Sequence, residues 1–297
     1  MDTSVRTGPT GDCRAAALGE LRRSIRDDGG LPERAGGGFS PAATAWATLA
    51  FTLAAQDASL ALRTTERLAK AQQPDGRVTV AAGNTAAVWP TPLALLAWQV
   101  TGSFPERRDR AERFLLSVSG VVEETRDTIV VGHDTTLRGW PWVLETHSWV
   151  EPTALAVIAL RRAGRAAHPR VQEGVRLLLD RQLAGGGWNY GNTTVYGTQL
   201  VPQVDATGVA LAALAGSAPS ERVAPSCAWL ESALPGVRTP FSLSWGIIGL
   251  SAWVRRPESA AAWVDESFSL AGRYGGYDTS HLALLLVARE TGGPFSP

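Results

Sequence analysis

The chain has 297 residues, and 28 Lys and Arg residues balance 28 Asp and Glu residues, so its formal net charge is zero. Hydrophobic residues make up 44% and charged residues 19%, which is typical of a globular protein and excludes wholesale disorder. The balanced charge argues against a nucleic-acid partner, which leaves a basic footprint on a sequence. Two cysteines exclude a disulfide framework. No apolar run is long enough for a bilayer and residues 1–12 are polar, so we expect a cytoplasmic protein.

Two kinds of helical segment alternate along the chain. The first kind is amphipathic and ends in a glycine-rich turn, with examples at 15–28, 60–73 and 171–182. The second kind is apolar nearly all round, is rich in Ala and Leu, and opens with a helix-starting residue such as Pro, Asp, Ser or Thr. The second kind recurs at 41–54, 90–100, 152–162, 205–216, 242–254 and 278–290.

The spacing of these segments predicts the fold class. Successive starts of the apolar segments are roughly 35 to 60 residues apart, which is typical of arrays of helical hairpins. A helix that is apolar on all sides should be buried, and one with a single apolar stripe should lie outside it. We therefore predict an all-α domain over residues 13–292, a single (α/α)6 toroid. An open solenoid is the alternative, although it should show polar capping repeats. Residues 1–12 and 293–297 are expected to be flexible ends, and 121–146 an insertion over one mouth of the barrel.

One turn carries a resemblance to a known family. It begins at Gln182, passes through three glycines and ends at Trp188, and it resembles the turn repeated in squalene and oxidosqualene cyclases. Weaker echoes occur at 26–30, 72–76 and 273–277. The glycines permit positive φ at a helix end, and the Gln side chain is able to cap backbone groups. The chain thus resembles the prenyltransferase/squalene-oxidase repeat family, whose α/α toroid serves both enzymes and non-catalytic domains.

The resemblance implies a catalytic role for Asp205. Class II terpene cyclases carry their proton donor in an Asp-x-Asp-Asp motif at the start of an inner helix. The matching stretch here runs from Gln203 to Ala206 and retains only the middle acid, Asp205. Burial would keep such a carboxyl protonated, so we expect Asp205 to start the cyclisation or isomerisation of an isoprenoid by protonating an alkene or epoxide. The alternative is that Asp205 is only a helix N-cap.

Other side chains at inner-helix starts should converge on the same mouth if the barrel closes. Acids beside aromatic rings suit carbocation chemistry, because the acid starts the reaction and the π-faces stabilise the cation. The predicted substrate-binding residues are Trp89, Trp149, Glu151, Gln203, Trp245, Tyr277, Asp278 and His281. His147 and His281 are candidates to orient Asp205. The alternative roles are capping or salt bridges for Glu151 and Asp278, and packing for the tryptophans.

We expect no metal and no cofactor. The stretch 277–281 is similar to the one that carries the zinc-binding histidine in protein prenyltransferase β subunits. Only His281 matches, because Cys227 lacks the Asp that should stand two residues before it, and a catalytic zinc needs three protein ligands.

Three functions stay open on sequence alone. The first is a terpene cyclase-like enzyme, the second a non-catalytic toroid that binds an isoprenoid or a protein partner. The third is an (α/α)6 carbohydrate-active enzyme with paired carboxylates such as Glu151 and Asp205. The expected ligand is an isoprenoid or another apolar small molecule. A single barrel would need a cover over its mouth, from a homodimer, a partner subunit or the 121–146 segment, and peripheral contact with a membrane is a further option.

Overall fold

The computed structural model describes residues 13–122, 132–290 and 295. This part of the chain contains twelve α-helices and one β-hairpin. The helices are α1 Cys13–Arg23, α2 Pro41–Leu53, α3 Ala58–Ala71, α4 Pro90–Val100, α5 Pro105–Ser117, α6 Val150–Arg162, α7 Pro169–Asp180, α8 Val204–Leu214, α9 Ser220–Ala233, α10 Pro240–Ala252, α11 Ala260–Leu270 and α12 Thr279–Arg289. The hairpin pairs β1 Thr194–Val195 with β2 Thr198–Gln199, and short 3₁₀ turns cover Leu234–Gly236 and Ala271–Tyr274.

The even-numbered helices form a closed inner ring. Contacts run from α2 to α4, α6, α8, α10 and α12, and α12 returns to α2. The odd-numbered helices lie outside this ring, with α1 closing the outer layer against α11 and α12. Each outer helix returns the chain, so the inner helices run parallel and their N-termini share one mouth. The predicted toroid is confirmed, although α6, α8 and α10 begin one or two residues earlier than the sequence indicated.

The division into layers follows from burial. In α2, for example, every residue from Pro41 to Phe51 is buried, whereas α3 buries one stripe that includes Ala61, Thr65 and Leu68. A helix buried on all sides needs apolar residues on all sides, and the outer helices need them on one side only. None of the helices in the described residues has the length and apolar character needed to cross a membrane.

A threonine near the start of four inner helices clamps the loop that precedes it. The hydroxyl of Thr153 accepts a hydrogen bond from Trp140 N at 2.9 Å, and that of Thr207 accepts one from Trp188 N at 3.0 Å. Thr44 and Thr91 make the same bond in α2 and α4. Because buried backbone N–H groups need partners, these clamps fix where each loop enters the ring.

Turns between outer and inner helices press against the next outer helix. Gly186 has φ +90°, and a Cβ there would lie 2.7 Å from the carbonyl of Pro225 in α9, so only glycine fits. The Gln182 side chain donates to Arg222 O at 3.1 Å and to the Ser226 hydroxyl at 2.7 Å. The Gln side chain therefore caps backbone groups as expected, and it ties one repeat to the next.

The ring is sealed between its first and last repeats by the loop before α2. The backbone carbonyl of Glu33 accepts from Thr279 N at 2.8 Å, and its carboxylate accepts from the hydroxyls of Ser40 and Ser280. Arg34 donates to the Asp278 carboxylate at 2.6 Å. The bonds of Glu33 and Arg34 to the start of α12 join residues 244 to 247 positions apart, so they form only when the chain folds into the ring.

Aromatic side chains fill the ring interior at one level. Trp46 of α2 and Trp245 of α10 meet edge-to-face with ring centroids 5.8 Å apart, and α12 lies between their helices in the ring, so the contact crosses the interior. Phe295 packs against both rings. The predicted flexible ends at 1–12 and 293–297, apart from Phe295, and residues 123–131 of the predicted insertion lie outside the described residues.

Candidate active site

The threonine clamps give a common register for the inner-helix starts. The position two residues before the clamping threonine is occupied by Ala42, Trp89, Glu151 and Asp205 in α2, α4, α6 and α8. Glu151 and Asp205 therefore stand at matching places on adjacent helices, at the mouth formed by the inner-helix N-termini. We call these two residues the acid pair.

The segment 188–190 bridges the two helices that carry the acid pair. Its Trp188 carbonyl accepts from Gln203 N at 2.8 Å, beside the start of α8, and its Tyr190 carbonyl accepts from Val150 N at 2.8 Å, at the start of α6. This path brings the Tyr190 side chain to the acid pair, where its hydroxyl donates a hydrogen bond to the Asp205 carboxylate.

The two carboxyls of the acid pair have different surroundings. Burial raises the pKa of Glu151 to about 8, and the negative charge of Asp205 adds to the shift. Burial also raises the pKa of Asp205, but its carboxylate accepts bonds from its own N–H, from Ala206 N–H and from the Tyr190 hydroxyl, which oppose the rise. Since hydrogen bonds to a carboxylate favour its ionised form, those at Asp205 work against the effect of its burial.

Asp205 is not the N-cap residue of α8, but its carboxylate accepts hydrogen bonds from its own N–H and from Ala206 N–H, so it does serve free amides of the first turn, as the capping alternative expects. The N-cap of α8 is Gln203, which makes no side-chain capping bond, and Asp205 lies inside the first helical turn. In α6 the N-cap is Trp149, again without a capping bond, and Glu151 lies in the first turn. Both acids therefore lie in the first turns of their helices, and the Asp205 carboxylate accepts hydrogen bonds from amides of its own turn.

Two aromatic side chains at this mouth are open to solvent. Trp149 is 39% exposed and Tyr190 47% exposed, while both members of the acid pair are half-buried. The Trp149 ring lies over Gly191, where a Cβ would come within 3.0 Å of the indole. The acid pair thus sits beside an aromatic surface that a ligand is able to reach.

The remaining predicted site residues are distributed around the ring. Trp89 is half-buried and meets Trp142 edge-to-face at 5.3 Å. The Tyr277 hydroxyl donates to Ser267 O at 2.9 Å. His147 lies on the wall of a cavity of about 210 Å³ that also includes Arg181 and Gly191.

Asp278 is the N-cap of α12 and His281 lies in the first turn of this helix, which is three places around the ring from α6. Asp278 is the partner of Arg34 in the seam that closes the ring. His281 Nδ1 lies 3.7 Å from the Asp278 carboxylate, and its ring contacts Phe241 at 6.0 Å between centroids. These contacts hold Asp278 and His281 at the start of α12, away from the acid pair. Trp245 lies deeper in the ring.

Sequence reasoning did not identify Tyr190. The residue precedes α8 by a whole hairpin, so nothing in helix periodicity marks it. Its position after the glycine-rich turn could have identified it, because the segment that follows such a turn runs along the start of the next inner helix.

Comparisons with known proteins support the fold. No family model matches this chain, and no curated protein matches it. Among solved structures, an alpha-1,6-mannanase of Salegentibacter sp. HEL1_6, in complex with alpha-1,6-mannotriose, matches 93% of this chain and 98% of its own, with 10% identity and a TM-score of 0.63. The type II terpene cyclase MstE from Scytonema, in complex with merosterolic acid A, matches 93% of this chain and 95% of its own, with 15% identity and a TM-score of 0.62.

A third neighbour belongs to a much longer protein. Salmonella alpha-2-macroglobulin reacted with methylamine matches 93% of this chain with a TM-score of 0.54 and 15% identity, but only 17% of its own length is covered. At 10 to 15% identity these likenesses show the α/α toroid and no particular activity.

Proposed function

We propose that this protein is a terpene cyclase-like enzyme that isomerises an isoprenoid by proton transfer from the acid pair. The observation that carries the proposal is the matching placement of Glu151 and Asp205 on adjacent inner helices at one mouth of the toroid. The fold of the terpene cyclase MstE, which is similar over almost the whole chain, supports it. In this proposal Glu151 is the proton donor and Asp205 its ionised partner, which exchanges the role that the sequence led us to expect for Asp205.

The acidity of Glu151 favours an oxygen atom as the proton acceptor. A carboxyl with a pKa of about 8 is protonated at neutral pH, but it is a weak acid for an unactivated alkene. Epoxide oxygen is a better match, since its C–O bond breaks as the proton arrives. The Glu151 O–H bond would break, the oxygen would become a hydroxyl, and the carbocation would be captured by a neighbouring double bond. Loss of one proton from the cyclised cation balances the reaction, so substrate and product are isomers.

The aromatic residues at the mouth suit this chemistry. Trp149 and Tyr190 offer π-faces beside the acid pair, and Trp89 occupies the equivalent position on α4. Such faces attract cations by roughly 0.5–2 kcal/mol each, depending on desolvation. The mouth is open at this level, so a cover over the substrate, from a second chain or from the 121–146 segment, belongs to the proposal.

Glycoside hydrolysis is a second candidate that specific observations favour. A protonated carboxyl beside an ionised one is also the acid–base pair of many glycosidases, and exposed Trp149 and Tyr190 would stack on sugar rings. One similar structure is that of an alpha-1,6-mannanase.

The experiment incubates the purified protein with epoxysqualene, squalene, prenyl diphosphates and alpha-1,6-mannotriose, and products are identified by mass spectrometry. We expect an isomer of the epoxide, with turnover reduced at least about a hundredfold by Glu151→Gln and by Asp205→Asn. Glu258→Gln, a change at an exposed carboxyl, is the control. Turnover that survives both changes would rule out the acid pair, and cleavage of mannotriose would select the second candidate.

A further inference from the structure

Tyr190 occupies a position that recurs around the ring. In the repeats of α2, α6 and α8 this position lies two residues after the one whose N–H binds the clamping threonine. Its backbone carbonyl accepts a hydrogen bond from an N–H at the start of the inner helix on the preceding side of the ring. The three bonds are Thr279 N to Glu33 O at 2.8 Å, Val88 N to Trp142 O at 3.2 Å, and Val150 N to Tyr190 O at 2.8 Å. We call Glu33, Trp142 and Tyr190 the bridging residues, because each joins the starts of two adjacent inner helices.

The side chains of the bridging residues differ in their chemistry. The Glu33 carboxylate accepts from two serine hydroxyls, one at each flanking helix start, at 2.8 and 3.0 Å. Trp142 packs edge-to-face on Trp89. Tyr190 is the bridging residue beside the acid pair, and its hydroxyl donates to the Asp205 carboxylate. The three repeats therefore share the backbone of this position, whereas the side chain matches the groups at the two helix starts.

The hydroxyl of Tyr190 acts on one member of the acid pair only. The helix dipoles do not distinguish the two acids, because each is the second residue of its helix. Burial and the charge of Asp205 raise the pKa of Glu151, and no hydrogen bond from the described residues opposes them. Burial also raises the pKa of Asp205, but three hydrogen bonds oppose this rise, two from amides of its own turn and one from Tyr190. The bond from Tyr190 is the one that comes from outside α8.

We propose that Tyr190 is the positioning residue of the acid pair, and that its hydroxyl places the negative charge on Asp205 rather than on Glu151. A hydrogen-bond donor favours the ionised form of the carboxyl that it binds. Once Asp205 is ionised, its charge holds the proton on Glu151. The consequence for catalysis rests on the proposed function, in which Glu151 gives up that proton. The placement of the charge is a property of the free protein and needs no substrate.

The first experiment follows the ionisation of Asp205 by carboxyl ¹³C NMR in the protein without substrate. Tyr190→Phe removes the hydroxyl and keeps the ring, so we expect the midpoint for Asp205 to rise by about one pH unit. Tyr196→Phe is the matched control, because this tyrosine is 90% exposed at the tip of the hairpin that follows Tyr190. An unchanged midpoint in Tyr190→Phe, or an equal rise in Tyr196→Phe, would overturn the proposal.

The reverse substitution tests the same bond from the side of the phenol. Burial, the charge of Asp205, the hydrogen bond to Asp205 and the charge of Glu151 all raise the pKa of Tyr190. Asp205→Asn removes one of these charges, so ultraviolet titration should show one tyrosine that ionises at lower pH than before. Adding Tyr190→Phe to Asp205→Asn should remove that tyrosine from the curve. A tyrosine ionisation curve that Asp205→Asn leaves unchanged would contradict the proposal.

The pH profile of turnover separates positioning from a purely structural role. If the active form has Asp205 ionised and Glu151 protonated, kcat falls at both ends of the pH range. Tyr190→Phe should move the acidic limb upward by the same amount as the NMR midpoint and leave KM unchanged, since the π-face remains. An equal loss of kcat at every pH would show a structural role and overturn the proposal. A moved NMR midpoint without turnover of any tested substrate would refute the proposed function while supporting the placement of the charge.

Discussion

The two mouths of the ring are formed by opposite ends of the same six helices, and they are completed differently. At the C-terminal mouth, side chains from neighbouring elements cap the last helical carbonyls. Gln99 donates to the last turn of α6 at 3.0 Å, Arg161 to that of α8 at 2.9 Å, and Arg256 to that of α12 at 2.9 Å. Arg14 reaches the carbonyl that follows α2. Cationic side chains here satisfy orphan carbonyls and complement the negative end of each helix dipole.

The N-terminal mouth lacks this regular capping. The N-caps of α6, α8, α10 and α12 make no side-chain capping bonds. Among the described residues no cationic side chain contributes to the pKa shift of either acid, and the pKa of Glu151 is raised. The contrast is that side chains cap the helix ends regularly at the C-terminal mouth, whereas the N-terminal mouth holds the seam, the threonine clamps and the acid pair. Locally unfavourable arrangements of this kind concentrate at functional sites.

The largest expected difference between the two mouths is that Glu151, at the N-terminal mouth, makes the free energy of unfolding depend on pH. Its pKa is raised from the ordinary 4.5 to about 8, so the folded protein holds the proton more tightly than the unfolded chain does. The resulting stability is fully present below about pH 4.5 and is lost as the pH rises towards 8. Urea unfolding at pH 5 and pH 9 should show a loss of up to about 4 kcal/mol that Glu151→Gln removes. Parallel pH profiles for the two proteins would contradict the assignment, and Glu258→Gln is the control.

The turns at the N-terminal mouth should be the next most sensitive feature. Gly186→Ala places a Cβ within 2.7 Å of the Pro225 carbonyl at a positive φ, so we expect a loss of about 3 kcal/mol in the free energy of unfolding. The neighbouring Gly185 has open space around its Cβ position, and Gly185→Ala should change stability by less than about 0.5 kcal/mol. Urea denaturation of both variants checks the pair, and equal effects would show that the close approach to α9 does not hold this turn.

The sequence predicted the ring because helix burial leaves a direct trace in composition. Helices that are apolar on all sides alternate with helices that have one apolar stripe, and the structure buries each kind accordingly. The ring is closed between α12 and α2 by bonds such as that from Arg34 to Asp278. These two residues are 244 positions apart in the sequence, so no local pattern predicts that they pair. The bond of Asp278 to Arg34 across the seam was therefore not visible in the sequence, which marked Asp278 only as a candidate site residue.

The candidate site was predictable where helix register sufficed. The positions of Glu151 and Asp205 could be predicted from where their helices start. The sequence analysis also placed Trp149 and Trp245 at the same mouth, but in the structure they differ in exposure. Trp149 is the N-cap of α6 and is 39% exposed, whereas Trp245 is 0% exposed. The reason is that α10 begins at Pro240 rather than at 242, which puts Trp245 in the second turn, inside the ring. Tyr190 was out of reach because its path depends on backbone bonds made only after folding.

A smaller effect is expected from the threonine clamp beside the acid pair. Thr207→Val keeps the shape of the side chain but removes the acceptor of Trp188 N, which leaves a buried N–H unpaired and should cost about 2 kcal/mol. Thr207→Ser restores the hydroxyl and should recover most of this loss. Because the clamp fixes the segment that carries Tyr190, activity should fall with Thr207→Val and return with Thr207→Ser. Stability that falls without any change in activity would separate the clamp from the acid pair.

The smallest effect on stability is expected from a substitution at the C-terminal mouth. This substitution tests whether that mouth has only a structural role. Arg161→Met removes the donor to Ala213 O but keeps the length and apolar stem of the side chain, so we expect a loss of about 1 kcal/mol from the hydrogen bond and the helix-dipole interaction. Catalytic turnover should stay unchanged, because the guanidinium lies at the far end of α8 from Asp205. Urea denaturation measures the first effect, with Arg162→Met on the same last turn as the control. A drop in turnover without a drop in stability would show that the capped mouth also takes part in function, and the division between the two mouths would fail.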